Sequence, residues 1–149
     1  MEALKNYIDN TWTASANQST VKVLNPATQE LLAEVPIGSA SARDMDQAIK
    51  SGHQAHLEWK KVPVMRRVQP LFKLKRLMDE NLEDLAQTIT LESGKTLEES
   101  KGELMRAIEN IETACGTPML MQSEFSEDIA SGIDEFMIRQ ALGVTACIA

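Results

Sequence analysis

A cysteine thiolate is a potent nucleophile, and the sequence offers two candidates, Cys115 and Cys147. Cys115 falls at the end of a predicted helix, where the backbone dipole disfavours a thiolate, so it reads as a packing residue. Cys147 falls in an apolar run with Val144, Ala146 and Ile148, where burial would push its thiol up and leave a poor nucleophile. No catalytic residue is therefore assigned. His53 and His56, three apart on a helix, could share a metal, but no carboxylate and third ligand are arranged with them, and no metal site is assigned. Gly94-Lys95-Thr96 has the form of the tail of a phosphate-binding loop, yet Ile89 stands where that motif needs its first glycine, and the turn lies between two helices. No Gly-x-Gly-x-x-Gly occurs. Glu98, Glu99, Glu103, Glu109 and Glu112 form an acidic series that reads as the solvated side of an amphipathic helix. Arg106 is left, beside Gly102 on what reads as the inward-leaning part of that helix. A guanidinium there can hold a carboxylate through two parallel hydrogen bonds, and an ordinary pair with Glu103, Glu109 or Asn110 is the competing use.

The composition is that of an ordered globular chain: 149 residues, 43% hydrophobic and 25% charged. A formal charge of -7 and the absence of a basic run argue against binding to nucleic acid or to an anionic membrane surface. No window approaches the roughly 18 apolar residues of a membrane span, and the first residues carry no export pattern, so a cytoplasmic address is expected. Two cysteines outside any Cys-x-x-Cys pair are expected to stay reduced.

The elements that must position these residues follow from periodicity. Tyr7 and Ile8, a turn at Asp9-Asn10, then Thr11 and Trp12 predict a hairpin. Val21 and Val23, a turn at Asn25-Pro26-Ala27-Thr28, then Leu31, Ala33 and Val35 predict a second. From Ser39 the period becomes helical, opened by Ser41 with Asp44 three residues on, with Met45, Ala48, Ile49, Gly52, Ala55, His56 and Trp59 on one face of a helix running to about Lys61. Pro63 suits the first turn of the next helix, whose inward positions are Val68, Leu71, Phe72, the stem of Lys75, and Met78. Pro70 interrupts it, predicting a kink or a start near Val68. Asn81 with Asp84 reads as a new cap, and Leu82, Leu85, Ala86 and Ile89 form a stripe ending at Gly94. Thr96 with Glu99 is a capping box that opens a helix carrying Leu97, Leu104, Ile108, Ile111 and Cys115 inward until Gly116-Thr117-Pro118. Residues 133–140 then alternate apolar and charged positions, as an exposed or interface ribbon would.

The run at 143–149 is apolar throughout, the pattern of a strand covered on both faces, which requires neighbouring strands and crossover helices. The chain is accordingly expected to be an incomplete piece. The competing expectation is that this run pairs with an earlier strand at the rim, with the terminus in water.

One series of motifs runs along nearly the whole chain. Asn25-Pro26-Ala27-Thr28 with Glu30, Trp59, Arg66-Arg67, Glu92-Ser93-Gly94-Lys95-Thr96 and Arg139-Gln140-Ala141-Leu142-Gly143-Val144 resemble, in order and spacing, the start of aldehyde dehydrogenases. Gly102-Glu103 with Arg106, Ile108-Glu109 and Ala114-Cys115-Gly116-Thr117-Pro118 are similar to the CoA-acylating methylmalonate-semialdehyde branch. The fold implied is α/β, the N-terminal portion of the aldehyde dehydrogenase fold. It would comprise hairpins and a helical layer of the NAD-binding domain over 1–121, an oligomerisation ribbon over 122–142, and the first strand of a Rossmann-like cofactor sheet over 143–149. Members bind NAD without the glycine fingerprint, in keeping with its absence here, and their cofactor contacts begin at the position matching Ala149. The chemistry implied is attack of a cysteine thiolate from a later domain on a semialdehyde, hydride transfer to NAD and transfer of the thioester to CoA, with decarboxylation when the substrate carries a carboxylate. Arg106 matches the position suited to that carboxylate. A homo-oligomer is implied, and the chain alone is expected to be inactive. Pro70 departs from the usual run of its helix. The alternative is a self-standing, non-catalytic helical interaction module that pairs through the ribbon near Phe136.

Overall fold

The structure is a computed structural model that describes residues 4–16, 19–37 and 41–148. It opens with two antiparallel hairpins. The first pairs β1 (Asn6–Ile8) with β2 (Thr11–Thr13) through Asp9 and Asn10, whose φ angles of 51° and 58° give the left-handed turn that matches strand twist. Tyr7 and Trp12 face one another across it, with ring centroids 4.9 Å apart. The second pairs β3 (Thr20–Leu24) with β4 (Leu31–Pro36). Its turn is organised by Asn25, whose side-chain oxygen accepts from the backbone N–H of Ala27 (2.9 Å) and Thr28 (3.3 Å).

The helices come next: α1 (Ser41–Trp59), α2 (Val64–Arg67), α3 (Gln69–Glu80), α4 (Leu82–Ser93), α5 (Leu97–Cys115) and α6 (Thr117–Leu120). Pro70 resolves as a restart, because α3 begins at Gln69 with the proline in its first turn, where a missing N–H leaves nothing unpaired. Asn81 sits at the N-cap of α4 but does not cap it with its side chain; its amide donates instead to the Leu77 carbonyl at 2.7 Å, closing α3. Gly94 ends α4 at φ 76°. Thr96 and Glu99 form the expected capping box of α5.

Val68 is buried at the junction of α2 and α3, and helices α3 and α4 both pack on α5, where Ala86, Leu104 and Ile108 are buried. Ser100, fully buried, sits in the same seam and hydrogen-bonds Thr90 across it at 2.9 Å. Some expected inward positions are not covered. Met45, Ile49 and Trp59 on α1 and Phe72 on α3 are exposed, because the described residues leave those faces only partly covered. Their period is helical, but a helical period says nothing of what supplies the cover.

A third hairpin pairs β5 (Glu124–Ala130) with β6 (Ile133–Met137), with a register shift between Ser126 and Ala130 and Asp128 at φ 50°. Every residue of both strands is exposed. The run at 143–148 carries no strand in this chain, and Val144 is 46% and Ile148 99% exposed, so the cover expected on both faces is not supplied by the described residues; the competing expectation, pairing with an earlier strand at the rim, is the one corrected. A strand is defined by its ladder, and among the described residues none pairs with this one. Its one packing cue is Val144 beside Gly52 of α1, where a Cβ on the glycine would lie 3.3 Å from Val144 Cγ2. No helix among the described residues is long and apolar enough to cross a membrane.

Candidate functional site

The capping box and the α3–α4 seam fix which way α5 faces. Ser100, Leu104 and Ile108 point into the seam, and Lys101 reinforces it by pairing with Glu83 of α4 at 2.9 Å. The Glu83 carboxylate raises the pKa of that lysine above its ordinary value, with Glu98 adding to the effect. The far side of the helix carries Glu99, Gly102, Glu103 and Arg106, an i, i+3, i+4, i+7 stripe that lines an open depression of about 360 Å³.

Arg106 is exposed in this depression, which corrects the expectation of an inward-leaning position. Its expected competitors for the guanidinium are engaged otherwise or out of reach. Glu103 is ion-paired to Lys95. Glu99 accepts from the Thr96 backbone N–H at 3.0 Å and from its hydroxyl at 2.8 Å. Those two bonds, the backbone one first, hold the Glu99 carboxyl below its usual range. Among the described residues no carboxylate comes within ion-pair distance of Arg106. Its planar fork is thus free to take an external carboxylate in bidentate fashion. Gly102, one turn earlier, leaves room in front of it, since a Cβ there would meet nothing within 4 Å. A glycine inside a helix costs roughly 0.5–1 kcal/mol relative to alanine, so the gap carries a stability penalty that the fold itself does not require.

The other candidates separate from this site. Cys115 is half-buried at the C-terminal end of α5, and Cys147 is exposed, so the burial expected for Cys147 is not present. Neither cysteine has a histidine in hydrogen-bonding contact among the described residues. His53 and His56 belong to no group of three or more metal-ligating side chains among the described residues. Ala149 lies outside the described residues. The run at 141–148 has no regular structure among the described residues and carries no Gly-x-Gly-x-x-Gly. Two feature-bearing turns are brought together: Pro26 of the second hairpin packs on Gly94, where an added Cβ would lie 2.9 Å from Pro26 Cγ. Spacing along the chain could not reveal that contact, because the two positions lie 68 apart in sequence and meet only in the folded chain.

The profile of the aldehyde dehydrogenase family matches residues 12–149. The malonate-semialdehyde dehydrogenase 2 of Geobacillus thermodenitrificans is 45% identical over 147 residues, covering 99% of this chain and 30% of that protein. Among solved structures, the methylmalonate-semialdehyde dehydrogenase of Oceanimonas doudoroffii superposes with a TM-score of 0.86 at 31% identity, covering 94% of this chain and 28% of that one. A protein from Sinorhizobium meliloti 1021 assigned as a methylmalonate-semialdehyde dehydrogenase, solved in complex with NAD, gives 0.87 at 32% identity, covering 95% and 28%. The chain therefore spans about 30% of the length of the curated relatives it matches.

Proposed function

The chain belongs to the aldehyde dehydrogenase family, and from that premise we propose that it serves as the N-terminal portion of an NAD-dependent, CoA-acylating oxidoreductase acting on malonate or methylmalonate semialdehyde. Arg106 is the substrate-binding residue, gripping the carboxylate at the far end of the semialdehyde. The observation that carries this reading is the unpaired guanidinium on an open helix face, where the two carboxylates lining the same depression are engaged by Lys95 and Thr96. Malonate-semialdehyde dehydrogenases that align with 99% of the chain support the choice of substrate. NAD and CoA are the cofactor and co-substrate of the whole protein, Ala149 is its first cofactor contact, and the nucleophilic cysteine is supplied from outside the described residues. The whole protein works in the cytoplasm as a homo-oligomer through the β5–β6 ribbon, over the divisions 1–121, 122–142 and 143–149.

Among the described residues neither cysteine has a histidine in hydrogen-bonding contact, and we propose that the 149-residue chain is inactive by itself. The test is NADH formation followed by absorbance, with semialdehyde, NAD and CoA present. A full-length protein beginning with this sequence should turn over, and the isolated chain should not. Turnover by the isolated chain, or none by the full-length protein, contradicts the proposal. The alternative of a self-standing interaction module draws less support, since so few apolar residues are buried within the chain.

A further inference from the structure

A second depression, of about 460 Å³, lies between the end of α1, α2 and the stretch that follows β6. Its wall carries His56, Lys60, Lys61, Arg67 and Arg139, and no acidic side chain. In a chain of net charge -7, five basic side chains around one hollow without a carboxylate among them is a strong local inversion of sign. Two of the five are already neutralised from outside the wall: Lys61 pairs with Glu58 at 2.8 Å and Arg139 with Glu124 at 3.7 Å. Lys60 has no ion pair among the described residues, and Arg67 is in a more demanding position. Its Nη2 donates only to the Met121 sulfur at 3.9 Å, a weak acceptor, and its Nε is fully buried with no partner among the described residues. The guanidinium is thus left with no ion pair among the described residues, and an anion in the hollow would supply one.

We infer that this hollow is a binding site for a phosphate-type oxyanion, held by Arg67 and Lys60 with His56 beside them, apart from the Arg106 depression and independent of its assignment. A multi-oxygen anion suits donors that approach from α1 and from α2, which a single carboxylate would not span as well. Met121, Ile138 and Ala141 add an apolar wall that would accommodate the organic part of a phosphomonoester.

The test is calorimetric titration of the 149-residue chain at low ionic strength with inorganic phosphate and, separately, with phenyl phosphate, against sodium chloride at matched ionic strength. Saturable one-site binding of phosphate but not chloride is expected. Lys60→Gln and Arg67→Gln should each weaken it about tenfold, the usual order for losing one charge-assisted hydrogen bond. Tighter binding of phenyl phosphate assigns an organic ester as the ligand, and equal binding assigns the free anion; both uphold the site. Because Arg67 is part of the packing, the exposed Lys60→Gln variant decides alone if Arg67→Gln does not melt cooperatively. Heats no larger than those of chloride, or a folded Lys60→Gln variant with unchanged affinity, overturn the assignment.

Discussion

An arginine on an acidic helix face ordinarily finds a carboxylate three or four residues away, and Arg106 has Glu103 and Glu109 at those spacings. Lys95 takes Glu103, and Glu109 makes no ion pair with Arg106 among the described residues. The residue type and its helix were legible in the sequence; its freedom was not, since it depends on where Lys95 reaches from the preceding turn. Gly102 and Gly94 show opposite sides of one residue's chemistry. Gly102→Ala places a methyl in open space on a regular helix and should stabilise the chain by about 0.5–1 kcal/mol, read as a higher urea midpoint at unchanged slope. Gly94→Ala forces a side chain into left-handed backbone and against the Pro26 ring, so it should destabilise by about 1–3 kcal/mol in the same assay. Equal effects of the two substitutions would contradict this reading of the two sites.

At the scale of elements, the sequence signals that proved reliable are those in which local chemistry completes itself. The Asp9-Asn10 turn, the Asn25 turn, the Gly94 terminator and the Thr96–Glu99 box each satisfy their backbone groups within a few residues, so spacing alone reveals them. Strand β5 was not legible, because Glu124, Ser126, Glu127 and Asp128 give it no apolar alternation, and its register breaks at a bulge. The 143–148 run shows the reverse case: its side chains suit a covered strand, but a strand exists only through a partner, and none of the described residues supplies one. Thr96→Ala should destabilise the chain by about 1 kcal/mol, since it removes one half of the box that starts α5. The first hairpin docks on α1 through Asp44, which accepts from the Ser15 hydroxyl at 2.6 Å and the Asn6 amide at 3.1 Å. Those bonds, Ser15 foremost, hold its carboxyl below the ordinary range. A depressed folded-state pKa means that the contribution is complete above the ordinary carboxylate pKa and is lost as pH falls through the depressed one. Melting temperature followed from neutral to acid pH should therefore fall, and Asp44→Asn should make that acid limb shallower; an identical limb in the variant would remove Asp44 from the account.

For the molecule as a whole, the surface is the main clue. A folded monomer of 16.5 kDa exposes roughly 7,500 Å² on the usual scaling, whereas this chain exposes 11585 Å². Large apolar side chains contribute to it, with Trp12, Phe125, Phe136, Leu142 and Ile148 among those exposed. Such patches on a soluble chain mark surfaces made for other polypeptide. The isolated chain should accordingly enhance the fluorescence of an apolar dye more than a self-contained domain of its size, and a response no greater would contradict the surface reading. The central claim, that Arg106 receives a substrate carboxylate, is tested most directly by kcat/KM in a full-length enzyme that begins with this sequence, comparing Arg106→Gln with the parent on malonate semialdehyde and on propanal. Losing a bidentate charge-assisted pair predicts a fall of about 100-fold for the semialdehyde, with propanal changed by less than about threefold. A parallel fall for both aldehydes, or none for the semialdehyde, would contradict it.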